Sequence, residues 1–210
     1  IVIAYNEQHY ISGCMKAILD QTITDFTLIM VDDGSTDHTW AVMNSTQDPR
    51  ISRVRLKRRS GYATARNAGL KLVKEGIVFF TDADCRPSPD WLERGIAAFQ
   101  EEDIMCVGGT TQYAAENKLF TPNNLLSFSL FNQPCFGTCN VAYRTQLLCR
   151  IQGFRERYND CLEDMDLYIR ARMATKGKIV LSEKMIVTHV KKDFSLQKLL
   201  SWPLRPKQLV

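Results

Sequence analysis

Two acidic groups in this chain have the residue types and the spacing to do chemistry. The first is Asp82-Ala83-Asp84, which follows the apolar run at 77–80 and precedes Arg86-Pro87-Ser88-Pro89. A short β-branched and aromatic run bounded by Gly76 and a Pro-rich turn reads as a buried strand. Two carboxylates one residue apart at its C-terminal end lie where open α/β sheets bind ligands. Hard oxygen donors there suit Mg2+ or Mn2+, and such an ion suits a diphosphate. The second group is Glu163-Asp164-Met165-Asp166, which opens a helix. Acidic residues at a helix N-terminus complement its dipole, yet three carboxylates in four residues exceed what capping requires. Taken alone, Asp82 and Asp84 serve equally well as turn formers or caps, so the elements that carry them have to decide.

Those elements alternate. Residues 1–4 read as a first strand leading into Tyr5-Asn6-Glu7, and a helix with Ile11, Cys14, Met15, Ile18 and Leu19 on one face follows. Residues 26–31 read as a second buried strand that runs into Asp32-Asp33-Gly34-Ser35-Thr36-Asp37, with Ser35 or Thr36 capping a helix that begins near Thr36. Residues 51–56 alternate Arg53 and Arg55 with Val54 and Leu56, the pattern of a strand near a sheet edge. Helices are expected over 61–75 and 91–100, and strands over 77–80 and 104–108. Strand and helix alternating four times argue for a doubly wound, mainly parallel sheet with right-handed crossovers and helices on both faces. The loops at 5–7, 32–34 and 82–84 then share one edge of the sheet. Five acidic side chains gathered there repel one another unless a cation or hydrogen-bonding ligand joins them.

The second half is less regular. A helix is expected over 123–131 within a polar excursion, then a short strand at 141–142. The helix opening at Glu163 is expected to bury Leu167, Ile169, the stem of Arg170, Met173 and Ala174, and short strands at 179–181 and 186–187 end at His189. The organisation expected is one α/β domain in two halves, 1–110 and 111–190, with an amphipathic tail at 191–210.

Composition excludes several classes. The chain of 210 residues is 45% hydrophobic and 24% charged, enough for one globular domain with a full core. A net charge of +4 is too weak to imply nucleic acid, and the basic run at 50–59 reads first as a solvated face, with phosphate contact as the alternative. Seven cysteines without a Cys-x-x-Cys pair read as reduced thiols of a cytosolic protein, and Cys135 and Cys139 lack the second pair a zinc site needs. Neither a Gly-x-Gly-x-x-Gly turn after the first strand nor a P-loop is present, which argues against dinucleotide enzymes and ATPases. There is no signal peptide and no run long enough to span a bilayer. A start without Met, directly in a strand, reads as a piece of a longer protein.

In order, the pieces Ile3-Ala4-Tyr5-Asn6-Glu7, Gln21-Thr22, residues 31–37, Ala65-Arg66-Asn67-Ala68-Gly69, Asp82-Ala83-Asp84, residues 137–142 and residues 163–167 resemble the family 2 inverting glycosyltransferases of the GT-A fold. Each piece is weak alone; the ordered set covers nearly the whole chain. Ala4 departs from the family's usual Pro or small polar residue, and residues 111–134 match no motif. The resemblance implies a nucleotide-diphospho-sugar donor, UDP-linked by preference, held by Ala4, Tyr5, Glu7, Asp33, Arg66, Asp82 and Ala83. Tyr5 would lie against the base, Asp33 would accept its N–H with support from Glu7, and Asp82 would hydrogen-bond ribose or sugar. Asp84, with His189 as a further candidate, would hold Mn2+ or Mg2+ against the diphosphate. Arg66 is read as either a charge partner for the diphosphate or a structural arginine. Asp164 would be the general base, with Glu163 and Asp166 orienting acceptor or base.

Other readings remain open. A nucleotidyltransferase would normally carry a Gly-rich basic loop after its first strand, which Tyr5-Asn6-Glu7 is not. A non-catalytic nucleotide-sugar-binding subunit would need no base. The acceptor expected is a glycan or lipid-linked saccharide. In the tail, Phe194, Leu196 and Trp202 interleave with Lys191, Lys198 and Arg205, which fits either an interfacial helix on an anionic membrane surface or a helix packed on the domain. The place expected is the cytoplasm, at the inner face of the membrane if the tail binds there.

Overall fold

The structure is a computed structural model that describes residues 1–114, 137–159 and 161–190. The helix expected over 123–131 and the tail at 191–210 lie outside the described residues. In chain order the elements are β1 (Val2–Ala4), α1 (Ile11–Leu19), β2 (Leu28–Asp32), α2 (Thr39–Ser45), β3 (Ile51–Arg55), α3 (Tyr62–Leu70), β4 (Ile77–Asp82), β5 (Cys85–Pro87), α4 (Trp91–Ala97), β6 (Ile104–Ala114), β7 (Val141–Arg144), α5 (Thr145–Arg150), α6 (Glu163–Ala174) and β8 (Lys178–Val190). The strands form one sheet in the order β3-β2-β1-β4-β7-β6-β8-β5. The first four run parallel. β7 is antiparallel to both β4 and β6, β8 is parallel to β6, and β5 lies antiparallel to β8 at the far edge.

Alternation along the central strands sends side chains to two cores. Val2, Ala4, Leu28 and Met30 pack against Ile11, Cys14, Met15 and Ile18 of α1. Ile3, Ile29 and Val31 pack on the other face against Ala65 of α3. Val78 and Phe80 face Leu147, Leu167 and Tyr168 of α5 and α6, while Phe79 turns its edge to Trp91 with ring centroids 5.0 Å apart. Strands buried on both faces read as continuous apolar runs, which is why β2 and β4 were plain in the sequence. β3 is the edge strand its alternation indicates.

Several expected boundaries move, each for a local reason. α2 begins at Thr39, because Ser35 and Thr36 are engaged elsewhere: Ser35 Oγ accepts from Asn6 N at 3.0 Å, and Thr36 N donates to Asn6 Oδ1 at 2.9 Å. α3 ends at Leu70, short of the expected 75. It starts after Gly61, whose φ of +95° is left-handed and whose missing Cβ makes room for Asn159. Residues 85–87, expected as a turn, pair with β8. The two short strands expected at 179–181 and 186–187 are one strand, whose register against β6 jumps from Ser182 to Ile186, a bulge. On α6 the buried residues are Glu163, Leu167, Tyr168 and Ala171, whereas Ile169 and Met173 are exposed. The core stripe is rotated from the expected one: Leu167, Tyr168 and Ala171 lie at helical spacing on the buried side, and Ile169 and Met173 on the exposed side.

Candidate active site

Three loops leave β1, β2 and β4 on one edge of the sheet, and hydrogen bonds tie the first two to each other and to the loop at 57–61. Asn6 holds φ +56°, a left-handed conformation Asn tolerates better than most residues. Glu7 N donates to Thr39 Oγ1 at 2.7 Å. Asp33 N donates to Ala4 O at 2.8 Å, while its carboxylate accepts from Ser60 N at 2.7 Å and Gly61 N at 2.9 Å. Asp33 thus pulls the loop at 57–61 over the ends of β1 and β2. Gly34 (φ +69°) lies against the backbone of Arg58 and Arg59, where no side chain fits. The loop returns Arg59 over the Tyr5 ring, its guanidinium carbon 4.6 Å from the centroid.

Not all the expected acidic side chains point to one place. Asp32 is wholly buried, accepts from Ser35 N at 3.0 Å and pairs with Arg55 Nε at 3.1 Å. It is a scaffold carboxylate, and the expected gathering of five acids is smaller by one.

The other half of the site arrives through Arg66 on α3. This arginine is 4% exposed and spans two carboxylates, donating to Asp82 Oδ1 at 3.0 Å and to Glu163 Oε1 at 2.7 Å. A buried guanidinium needs paired charges, so the end of β4 and the start of α6 are forced together. Asp164 comes with them. It is within electrostatic reach of Arg66 and Asp82, and its Oδ2 lies 3.7 Å from where a Cβ on Gly137 would be. Arg66 is therefore a bracket between two carboxylates. Asn67 beside it ties α3 to the loop after α5: its Nδ2 donates to Phe154 O at 2.8 Å, and its Oδ1 accepts from Phe154 N at 2.9 Å.

Burial sets the electrostatics. Desolvation raises Asp164 above the usual carboxylate range; a hydrogen bond from Met165 N and the Arg66 charge oppose it, and Asp82 adds to it. Glu163 is raised by burial against the pull of Arg66, and Asp33 by burial against its two backbone donors. Asp84 is pushed up to about 6, chiefly by burial, with His189 lowering it and Asp82 raising it. His189 Nε2 lies 3.6 Å from Asp84 Oδ1. A buried carboxylate beside a second carboxylate and an imidazole is a place where a divalent cation offsets an unfavourable charge, and O and N donors fit Mn2+ or Mg2+. Asp166 faces its own helix, bound by Arg170 Nε at 2.7 Å and Arg155 at 3.3 Å.

The structure thus brings Asp82, Arg66, Glu163 and Asp164 together, and Asp84 with His189 to the adjoining strand end. Four further residues, none assigned a role from sequence, support the site or the elements around it. Asn159 clamps the start of α3, its Oδ1 accepting from Thr64 N at 2.8 Å. Asn140 accepts from Trp91 Nε1 at 2.8 Å and donates to Thr110 O and Met185 O, both at 2.9 Å. Arg59 stacks on Tyr5, and Cys85 stands beside Asp84 and His189. In sequence Arg59 belongs to the basic run at 50–59, Asn140 to the piece at 137–142, and Cys85 follows Asp84; Asn159 carries no such signal.

A parallel sheet edge carrying acidic loops faces a carboxylate-bearing helix, the layout of the GT-A fold. The comparisons with known proteins agree. The model of the family described as Glycosyl transferase family 2 matches residues 1–158, and the chain belongs to that family. It is 41% identical over 180 residues to a teichoic acid poly(glycerol phosphate) polymerase of Staphylococcus epidermidis, a match covering 80% of this chain and 24% of that one. It is 31% identical over 121 residues to the glycosyltransferase AglE of Haloferax volcanii, covering 56% of this chain and 40% of that one. The chain therefore spans well under half the length of these curated relatives. Its fold matches S. aureus TarS 1–349 at a TM-score of 0.73 and 23% identity, over 90% of this chain and 59% of that one. It matches the mannosyltransferase PcManGT of Pyrobaculum calidifontis at 0.71 and 23%, over 92% and 56%.

Proposed function

We propose that this domain is a metal-dependent inverting glycosyltransferase. It moves a sugar from a nucleotide-diphospho-sugar to a hydroxyl of a glycan or lipid-linked saccharide. The observation that carries the reading is the Arg66 bracket, which sets the candidate base Asp164 across from the strand end bearing Asp82 and Asp84. UDP is the favoured nucleotide: TarS has been solved with UDP and with UDP-GlcNAc, and an Escherichia coli relative is named a UDP-Glc-dependent glucosyltransferase. PcManGT, solved with GDP-Man and Mn2+, supports a divalent ion.

In this reading residues 1–110 bind the donor and 111–190 the acceptor. The base stacks on Tyr5 beside Ala4, with Asp33 accepting its N–H and Glu7 bracing the loop. Asp82 and the backbone at Ala83 orient ribose and sugar. Asp84 and His189 would hold Mn2+ or Mg2+, which neutralises charge on the departing diphosphate. Asp164 takes the proton of the acceptor hydroxyl while that oxygen attacks the anomeric carbon. The C–O bond to phosphate breaks on the opposite face, and its electron pair leaves with the nucleoside diphosphate. One displacement inverts the centre and needs no enzyme nucleophile. The raised pKa of Asp164 suits a base working near neutrality. Glu163 positions the base through Arg66, and Asp166 does so by stiffening α6.

No helix among the described residues is long and apolar enough to cross a membrane. A place at the cytoplasmic face is proposed from the membrane-linked substrate named for the E. coli relative and from the basic amphipathic sequence at 191–210. Calorimetry with UDP, GDP and dTDP, with and without Mn2+, followed by a nucleotide-sugar transfer screen, tests the proposal. Mn2+-dependent UDP binding is expected. Absence of any nucleoside diphosphate binding overturns it.

A further inference from the structure

Cys85 takes no part in the reaction just described, yet it sits at the metal end of the site. In the β5–β8 ladder Cys85 is directly opposite His189, and directly opposed residues of an antiparallel pair project to the same face. Asp84, in the turn before β5, brings its carboxylate to that face. One donor atom from each of Asp84, Cys85 and His189 lies within 4.8 Å of the others. The carboxylate and imidazole are 3.6 Å apart. Bonds of about 2.0–2.3 Å at tetrahedral angles hold donors roughly 3.3–3.8 Å apart, so one pair is already spaced for a common ion. The sulfur lies within the same 4.8 Å limit of both donors. Cys85 and Asp84 are buried, and His189 is the more open of the three.

From this geometry we infer that Cys85 is a third protein ligand for a thiophilic divalent cation, Zn2+ in particular, at the position where Asp84 and His189 would hold Mn2+ or Mg2+. This inference rests on the Asp84–His189 assignment of the proposed function. Hard Mn2+ and Mg2+ prefer the carboxylate and leave a thiol protonated, whereas Zn2+ and Co2+ take sulfur readily. When the Zn–S bond forms, the thiol proton goes to solvent. The two centres then differ in charge. A divalent ion with one carboxylate and a neutral imidazole keeps one positive charge for the diphosphate; with a thiolate added it keeps none. Zn2+ is therefore expected to displace Mn2+ and to support donor binding poorly.

The test uses the 210-residue chain with the exposed Cys149 and Cys161 replaced by Ser, which removes adventitious surface thiols. Titration with Co2+ should give a sulfur-to-cobalt charge-transfer band in the near ultraviolet that is absent in Cys85→Ser. Calorimetry should show Zn2+ binding weakened by about tenfold or more in Cys85→Ser, with Mn2+ affinity unchanged within about twofold. Absence of the band, or its persistence with undiminished Zn2+ affinity in Cys85→Ser, overturns the inference. If neither Cys85→Ser nor Cys85→Ala folds by circular dichroism, X-ray absorption of the Zn2+-loaded parent decides: one sulfur at about 2.3 Å beside N and O donors supports the inference, and a shell without sulfur overturns it. Mn2+-dependent UDP binding with Zn2+ indifferent to Cys85 sinks this inference alone. Zn2+ held through Cys85 without any nucleotide binding sinks the proposed function alone.

Discussion

The carboxylates at the ends of β2 and those at the start of α6 are held in opposite ways. Asp33 is fixed by two main-chain N–H groups of the loop at 60–61, and Asp32 by Ser35 N with Arg55 beside it. Glu163 is paired with one buried side chain, Arg66, and Asp166 with Arg170 and Arg155, while Asp164 between them accepts from Met165 N. Backbone donors come with the fold and tolerate neighbouring substitutions. A guanidinium shared between Asp82 and Glu163 couples two distant parts of the chain, so that losing it disturbs both. The strand-end half of the site is thus built into the fold, and the helix half is tethered to it.

Asp164→Asn asks whether the helix half performs the chemistry. Transfer should fall by about 10²–10⁴-fold, with nucleotide affinity unchanged by calorimetry; retained activity would leave the two halves without their proposed division of labour. Arg66→Met strips the tether. It leaves Asp82 and Glu163 facing each other unpaired and should cost about 3–5 kcal/mol in urea unfolding, together with loss of transfer. Asp33→Asn keeps an oxygen for one of its two backbone donors and should cost about 1–2 kcal/mol. If it cost as much as Arg66→Met, the contrast between built-in and tethered halves would fail.

The pH profile sharpens the same point. Asp164 is faced by Arg66 from α3, Asp82 from β4, Cys139 from the loop before β7 and Glu163 on its own helix. Burial raises its pKa above 3.8, and in the proposed role its carboxylate has to be ionised. The acid limb of kcat/KM should therefore lie above the ordinary Asp range, and activity should fall as pH drops through it. Because the folded pKa is raised, ionisation opposes folding. This contribution to stability declines as pH rises from the unfolded value through the folded one, and Asp164→Asn should remove that dependence in pH-resolved unfolding. The smallest effect belongs to Asp166→Asn, about 0.5–1 kcal/mol by urea unfolding, with transfer changed only a few-fold.

Much of this was legible in the chain. The apolar runs of β2 and β4, the alternation of β3 and the acidic loops after β1, β2 and β4 together implied a shared edge. Parallel strands leave no other arrangement for loops that follow them. Other features were not legible, because they depend on partners far away in sequence. Ser35 and Thr36 look like caps until Asn6, some thirty residues earlier, engages them. Asp32 and Asp33 are adjacent and alike, and only Arg55 and the loop at 60–61 separate scaffold from site. Glu163 is buried at the start of α6, which an apolar pattern excludes unless a cation such as Arg66 is known to meet it.

The amino-acid sequence by itself determined the α/β class, the parallel half of the sheet and which loops share its functional edge, since apolar periodicity and strand polarity are local properties. Tertiary structure alone decided which carboxylates hold the scaffold and which face the cleft, that Arg66 joins α3, β4 and α6, and that Cys85 stands across a ladder from His189. A charge's role depends on which opposite charge or donor reaches it in the folded interior, and that pairing is a long-range property.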